Sequence, residues 1–247
     1  MSNHFKIIIP SYNNAKWLKA CIRSVKKQAY KDYQCIIIDD CSNDKSVEII
    51  EKEIEGYPSF LFIKNEERKL ALKNIYEAVI ESQPSPEDII ITLDGDDFLY
   101  GENVLEKVND TYKKTGCWLT YGSYAEFPSA RRGKFCKKIP DHIVENNSFR
   151  ESQWMSSHMR TFKVKLWNSI KKEDLLEPDG RFCDGAWDMV FMFPMLEMCG
   201  ERSKFIEDIL YIYNRNNPLN EDKVNHRNLM MSEQRIRQMK KYERIDL

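Results

Sequence analysis

The residues with the clearest chemical potential are Asp94, Asp96 and Asp97, three carboxylates within four positions, separated only by Gly95. Carboxylates this crowded repel one another unless a cation sits among them, and an all-oxygen donor set suits Mg²⁺ or Mn²⁺. Two further polar clusters stand out: Pro10-Ser11-Tyr12-Asn13-Asn14, and Asp39 through Asp44 with Cys41, Ser42 and Asn43 between. In the second half, Asp184 and Asp188 precede a strongly apolar, helix-like run. An acidic turn or a helix N-cap would place aspartates in the same way, so residue type alone leaves both readings open for each cluster.

Each of the first three clusters directly follows a short apolar run. Ile7-Ile8-Ile9 precedes Pro10, Ile36-Ile37-Ile38 precedes Asp39, and Ile89-Ile90-Ile91 leads through Thr92 and Leu93 to Asp94. Runs of β-branched residues without alternation read as strands buried on both faces. Between them, helical spacing is predicted through Trp17, Leu18, Cys21, Ile22 and Val25, through Val47, Ile50 and Ile54, and across residues 70–80. Asn13 or Asn14 would cap the first of these helices. Phe60 to Ile63 supplies another strand, and Pro10 should end the first one. Strand–helix alternation builds a mostly parallel, Rossmann-like α/β sheet flanked by helices and joined by right-handed crossovers. All carboxyl ends then lie on one edge, where such sheets bind ligands.

The glycine pattern narrows the ligand. Neither G-x-G-x-x-G nor G-x-x-x-x-G-K-[ST] occurs, so phosphates must be held another way, and a cation on the acidic cluster is the candidate. With 38 basic and 39 acidic residues the chain has no overall field to attract nucleic acid. A hydrophobic content of 42% is that of a globular chain long enough for a sizeable core. The seven cysteines are odd in number and scattered, which points to reduced thiols rather than a disulfide framework or zinc site. No signal peptide or membrane-length apolar window is evident, so the expected location is cytoplasmic.

Taken together, Pro10-Ser11-Tyr12-Asn13, Ile38-Asp39-Asp40-Cys41-Ser42-Asn43-Asp44 and Leu93-Asp94-Gly95-Asp96-Asp97 resemble the family 2 glycosyltransferases. The likeness extends to Ser157-His158-Met159-Arg160-Thr161-Phe162 and the run 188–217. It implies the GT-A fold, with residues 1–120 as the nucleotide-sugar half, 121–228 as the acceptor side and 229–247 as a helical tail. It also implies an inverting, hexosyltransferase-type transfer from a UDP-sugar to a hydroxyl on a glycan or glycoprotein, with Mn²⁺ or Mg²⁺ as cofactor. On this likeness Pro10, Ser11, Tyr12 and Asn13 belong to the nucleotide pocket, with the first three lining the uracil site, and Asp40 accepts from the base imide. Asp94 and Gly95 lie near the ribose or metal, Asp96 is the principal metal ligand, and Asp94 and Asp97 complete the metal set, with Asp97 close to the metal or acceptor. Asp188 is the base, with Asp184 as its rival because Trp187 interrupts the commoner Glu-Asp pair.

The rest of the chain carries weaker expectations. Residues 122–150 read as a polar loop over the acceptor, 205–212 as a strand, and Tyr211 to Arg215 as part of a lid. Trp167 is expected in the core, while Trp154 and Trp187 could stack on sugars. The tail is expected to dock on the body, with a homodimer contact as another use. Two other functions compete. A sugar-nucleotide nucleotidyltransferase would need a glycine-rich loop after the first strand, which is absent. A non-catalytic binding module of the same fold would be expected to have lost the carboxylates.

Overall fold

The structure is a computed structural model, and it describes residues 3–246. In chain order its elements are β1 (Phe5–Ser11), α1 (Ala15–Lys26), β2 (Tyr33–Asp39), α2 (Ser46–Ile54), β3 (Phe60–Lys64), α3 (Leu70–Glu81), β4 (Ile89–Thr92), β5 (Phe98–Leu99) and α4 (Val104–Thr115). There follow β6 (Leu119–Phe127), α5 (Asp141–Glu145), β7 (Thr161–Lys163), α6 (Val164–Trp167), α7 (Trp187–Cys199), β8 (Ser203–Asn214), α8 (Glu221–Val224) and α9 (His226–Gln238). Among the described residues, eight strands form one sheet in the order β3-β2-β1-β4-β7-β6-β8-β5. The first four are mutually parallel, and β7 then pairs antiparallel with both β4 and β6. The sheet therefore runs without a break from the first half of the chain into the second.

Burial on both faces explains the unbroken isoleucine runs. Ile8, Ile36 and Ile90 point into the core beneath α3 and α7, while Ile7, Ile9, Ile37, Ile89 and Ile91 join the core beneath α1 and α4. Helix α7 is apolar all round, and every residue from Met189 to Cys199 is buried, as a helix with no polar face requires. Trp167 lies in this same core, as expected.

The boundaries correct two expectations. Strand β1 continues through Pro10, whose register partner is Ile38. The carbonyls of Ile8 and Pro10 accept from Leu93 and Gly95, so the face where Pro10 lacks an N–H turns toward the end of β4, and no ladder bond to β2 is lost. Residues 122–127, expected in a polar loop, are instead the outer part of β6, paired with β8 through register shifts around Ser123. The aromatic and small residues of this stretch were masked by the basic run that follows them.

The tail is anchored from several sides. Arg150 and Glu197, both buried, form a two-armed ion pair that also gathers the carbonyl of Ile236 and the N–H of Tyr242. No helix of the described residues is long and apolar enough to cross a membrane, and all seven cysteines are free thiols.

Candidate active site

A cleft of about 860 Å³ lies along the carboxyl edge of the sheet and brings the three strand-end clusters to one place. Pro10, Ser11, Tyr12, Asp40, Asp94, Gly95 and Asp96 all line it, and across it stand Arg160, Asp184 and Asp188. Asn13 does not line it. Its side chain and N–H instead tie the two loops together through Asn43 and Ser42, and Asn14 faces the cleft.

Gly95 makes the acidic turn possible. A Cβ there would lie 2.6 Å from Ser11 Oγ and 2.7 Å from Ser11 Cβ, so only glycine lets the turn close against the end of β1. The end of β8 then grips the turn. Tyr211 Oη accepts from the Asp94 N–H at 3.2 Å and donates to Asp97 at 2.6 Å, while the Asn214 N–H donates to the other Asp97 oxygen at 2.7 Å. Asp97 is thus buried behind Asp94 as an anchor, outside the cleft lining, although its carboxylate, that of Asp94 and a ring nitrogen of His158 all lie within 4.8 Å of one another. Tyr211 and Asn214, expected in a lid, belong to the sheet itself. Their contacts arise from β8 crossing beside the turn, more than a hundred residues away in sequence.

Burial raises all three aspartates. Asp94 is pushed up to about 7, chiefly by desolvation, with Asp96 and Asp188 adding to the rise and Arg160 opposing it. Asp96 is raised by desolvation against the hydrogen bond from Asn217 Nδ2 at 2.7 Å. Asp94 and Asp96 both line the cleft with raised carboxyls, and Asp94 lies within 4.8 Å of Asp97, so the turn offers oxygen donors of the kind a hard divalent cation takes.

Asp40 behaves in the opposite way. Desolvation alone would raise it, but the amides of Asn74, Lys69, Asn65 and Leu70 outweigh that and hold it below the usual carboxylate range. Its oxygens accept from Asn65 Nδ2, Arg68 Nε and the backbone N–H groups of Lys69 and Leu70, all between 2.8 and 3.0 Å. The Arg68 guanidinium lies 3.4 Å from the centre of the Tyr12 ring. Sequence reasoning passed over Arg68, yet it follows β3 on the same carboxyl edge as the other clusters, and that position was the available signal.

Asp188 sits in the first turn of α7 and accepts from Arg160 Nη1 at 2.6 Å. Asp184 is held elsewhere, by Asn228 of α9 at 2.8 Å. Between them, Gly185 packs so closely on α9 that a Cβ would lie 2.7 Å from Ser232 Oγ. The cleft on this side is completed by Trp154, Trp187 and Met230, so the helical tail forms part of its wall.

Known proteins resemble this chain in sequence and in fold. The family model "Glycosyl transferase family 2" matches residues 6–170. Among curated relatives, glycosyltransferase GlyG of Streptococcus pneumoniae is 25% identical over 226 residues, covering 87% of this chain and 72% of its own. An uncharacterized glycosyltransferase of Haemophilus influenzae is 33% identical over 176 residues, covering 68% of this chain and 67% of its own. Among solved structures, Staphylococcus aureus TarS in complex with UDP-GlcNAc superposes with a TM-score of 0.66 at 17% identity, covering 87% of this chain and 59% of that one.

Proposed function

This chain belongs to glycosyl transferase family 2 and has the GT-A fold, and from that premise we propose that it moves a sugar from a UDP-sugar to a hydroxyl of a glycan or protein acceptor with inversion. The observation that carries the reading is that Asp188 lines the same cleft as Asp94, Asp96, Pro10, Tyr12 and Asp40. The UDP-GlcNAc held by the TarS structure supports uracil as the base.

In this mechanism the base packs near Tyr12 and Asp40, and the sugar extends toward Asp188. Asp188 takes the proton of the acceptor hydroxyl as its oxygen attacks the anomeric carbon. The bond from that carbon to the diphosphate oxygen breaks, and UDP leaves with the electron pair. Asp94 and Asp96 would hold Mn²⁺ or Mg²⁺, whose chemistry when bound is to offset the charge growing on the departing diphosphate. Asp97 keeps the turn in place.

The test is calorimetric titration of UDP with Mn²⁺ and again with EDTA, with GDP as control. Binding of UDP that depends on metal supports the reading, and absence of UDP binding in both conditions rejects it. Asp96→Ala is expected to lose metal-dependent UDP binding while circular dichroism stays unchanged, because the residue lines the cleft from the turn between β4 and β5 and belongs to no helix or strand. Asp188→Asn is expected to bind UDP normally and lose roughly 10²–10⁴ in transfer rate, the usual contribution of a general base.

A further inference from the structure

Arg160 is the largest side chain to be almost wholly buried, at 1% exposure, yet it lies against the cleft rather than in the apolar core. Its two terminal nitrogens are committed to different partners. Nη1 donates to Asp188 Oδ2 at 2.6 Å, and Nη2 lies 3.2 Å from His158 Nδ1. The face of Trp187, 5.3 Å from the guanidinium carbon, closes over it. Asp188 Oδ1 accepts from the Met189 N–H, so both carboxylate oxygens are held.

The contact to His158 has a definite chemical consequence. A guanidinium donates and cannot accept, so Nδ1 of His158 must be the acceptor. In a neutral imidazole the proton then resides on Nε2. Accepting from Arg160 needs a lone pair that an imidazolium lacks, so the ring is neutral, and its burial beside the Arg160 charge favours the same form. It is also fixed in orientation, stacked on Tyr211 at 4.5 Å and on Tyr213 at 5.4 Å. With one nitrogen lone pair accepting from Arg160 and the other nitrogen protonated, no lone pair is left for a cation, although Asp94 and Asp97 lie close.

We propose that Arg160 is a positioning residue: one arm orients the carboxylate of Asp188, and the other locks His158 in its Nε2–H form, as a hydrogen-bond donor and not a metal ligand. The Asp188 half rests on the transfer mechanism proposed above, and the His158 half stands without it. A planar two-armed fork can serve both acceptors at once, whereas a lysine in its place keeps the charge but cannot make both bonds in the same geometry.

Arg160→Lys is therefore the discriminating variant. On nitrogen-15-labelled protein, the His158 resonances are expected to show Nε2–H with an accepting Nδ1 in the wild type, and to lose that signature in Arg160→Lys. With the UDP-sugar hydrolysed fastest from a panel, kcat is expected to fall roughly hundredfold, the cost of about 1 Å of misplacement, while KM for the donor and the affinity for UDP stay unchanged. A wild-type proton on Nδ1, or an unchanged kcat in a folded Arg160→Lys, overturns the proposal. If that variant does not fold, the wild-type resonances decide the His158 half, and His158 nitrogen shifts that become those of a ligated ring on adding diamagnetic Mg²⁺ would overturn it. Absence of UDP binding to the wild type removes the transfer mechanism and the Asp188 half with it, and leaves the tautomer result to stand or fall alone.

Discussion

Asp40 illustrates how far a single residue's role depends on what surrounds it. Four donors converge on its two oxygens, enough to occupy essentially all of a carboxylate's lone pairs. Folding therefore favours its ionised form. Stability from this group is fully present above the ordinary carboxylate value of 3.8 and is lost as the pH falls through the lower folded value. Asp40→Asn would turn an amide toward donors already in place. At neutral pH it is expected to lose about 1–3 kcal/mol, the cost of leaving buried donors unmatched. The difference from wild type should narrow as the pH falls below about 4, where Asp40 begins to take up a proton in the unfolded chain. Urea unfolding of both proteins across this range checks it, and a difference independent of pH would contradict the ionised assignment. A base imide binding to Asp40 must also displace a donor, and Arg68 is the one supplied by an exposed side chain, 41% accessible. The motif shows Asp40, but its four donors lie 25 to 30 residues further on and meet it only in the fold.

At the scale of elements, the approach of α9 to the loop before α7 links the tail to the site. Gly185 has no room for a methyl group, and Ala186 next to it adopts a left-handed backbone at φ 50° before α7 begins. Gly185→Ala is expected to push α9 outward, costing about 1–3 kcal/mol as overpacking usually does. Ser232→Ala should recover part of that loss by removing the nearest atom, the Oγ at 2.7 Å. Thermal denaturation of the single and double variants measures both effects, and additive losses would place the strain elsewhere. Strands β1, β2, β3 and β4 were legible as unbroken apolar runs, and helices α1 to α3 by their helical spacing. Strand β6 was hidden by the basic run after it, and β5, two residues long, has no periodicity to show.

For the molecule as a whole, one of the links that join the second half to the tail is a buried charge pair. Arg150 and Glu197 lie at 1% and 0% side-chain exposure and bring the carbonyl of Ile236 and the N–H of Tyr242 to the same place. Glu197→Ala leaves the guanidinium buried without its partner, which typically costs about 3–5 kcal/mol. Chemical denaturation should show that loss, and a cost under about 1 kcal/mol, the range of surface pairs, would mean that water reaches Arg150.

The sequence by itself determined the parallel sheet, the edge on which the polar clusters gather and the identity of the strand-end and acidic residues that line the cleft. Strand-length isoleucine runs must be buried on both faces, and parallel order sends every carboxyl end the same way. Tertiary structure alone decided how those residues divide the work. Asp97 became an anchor because Tyr211 and Asn214 reach it from β8, Asn13 was turned from the cleft into a loop tie, and Arg160 came to bridge Asp188 and His158. These roles are set by contacts between distant strands and loops, whose registers depend on packing across the whole sheet, and no local pattern of residues encodes them.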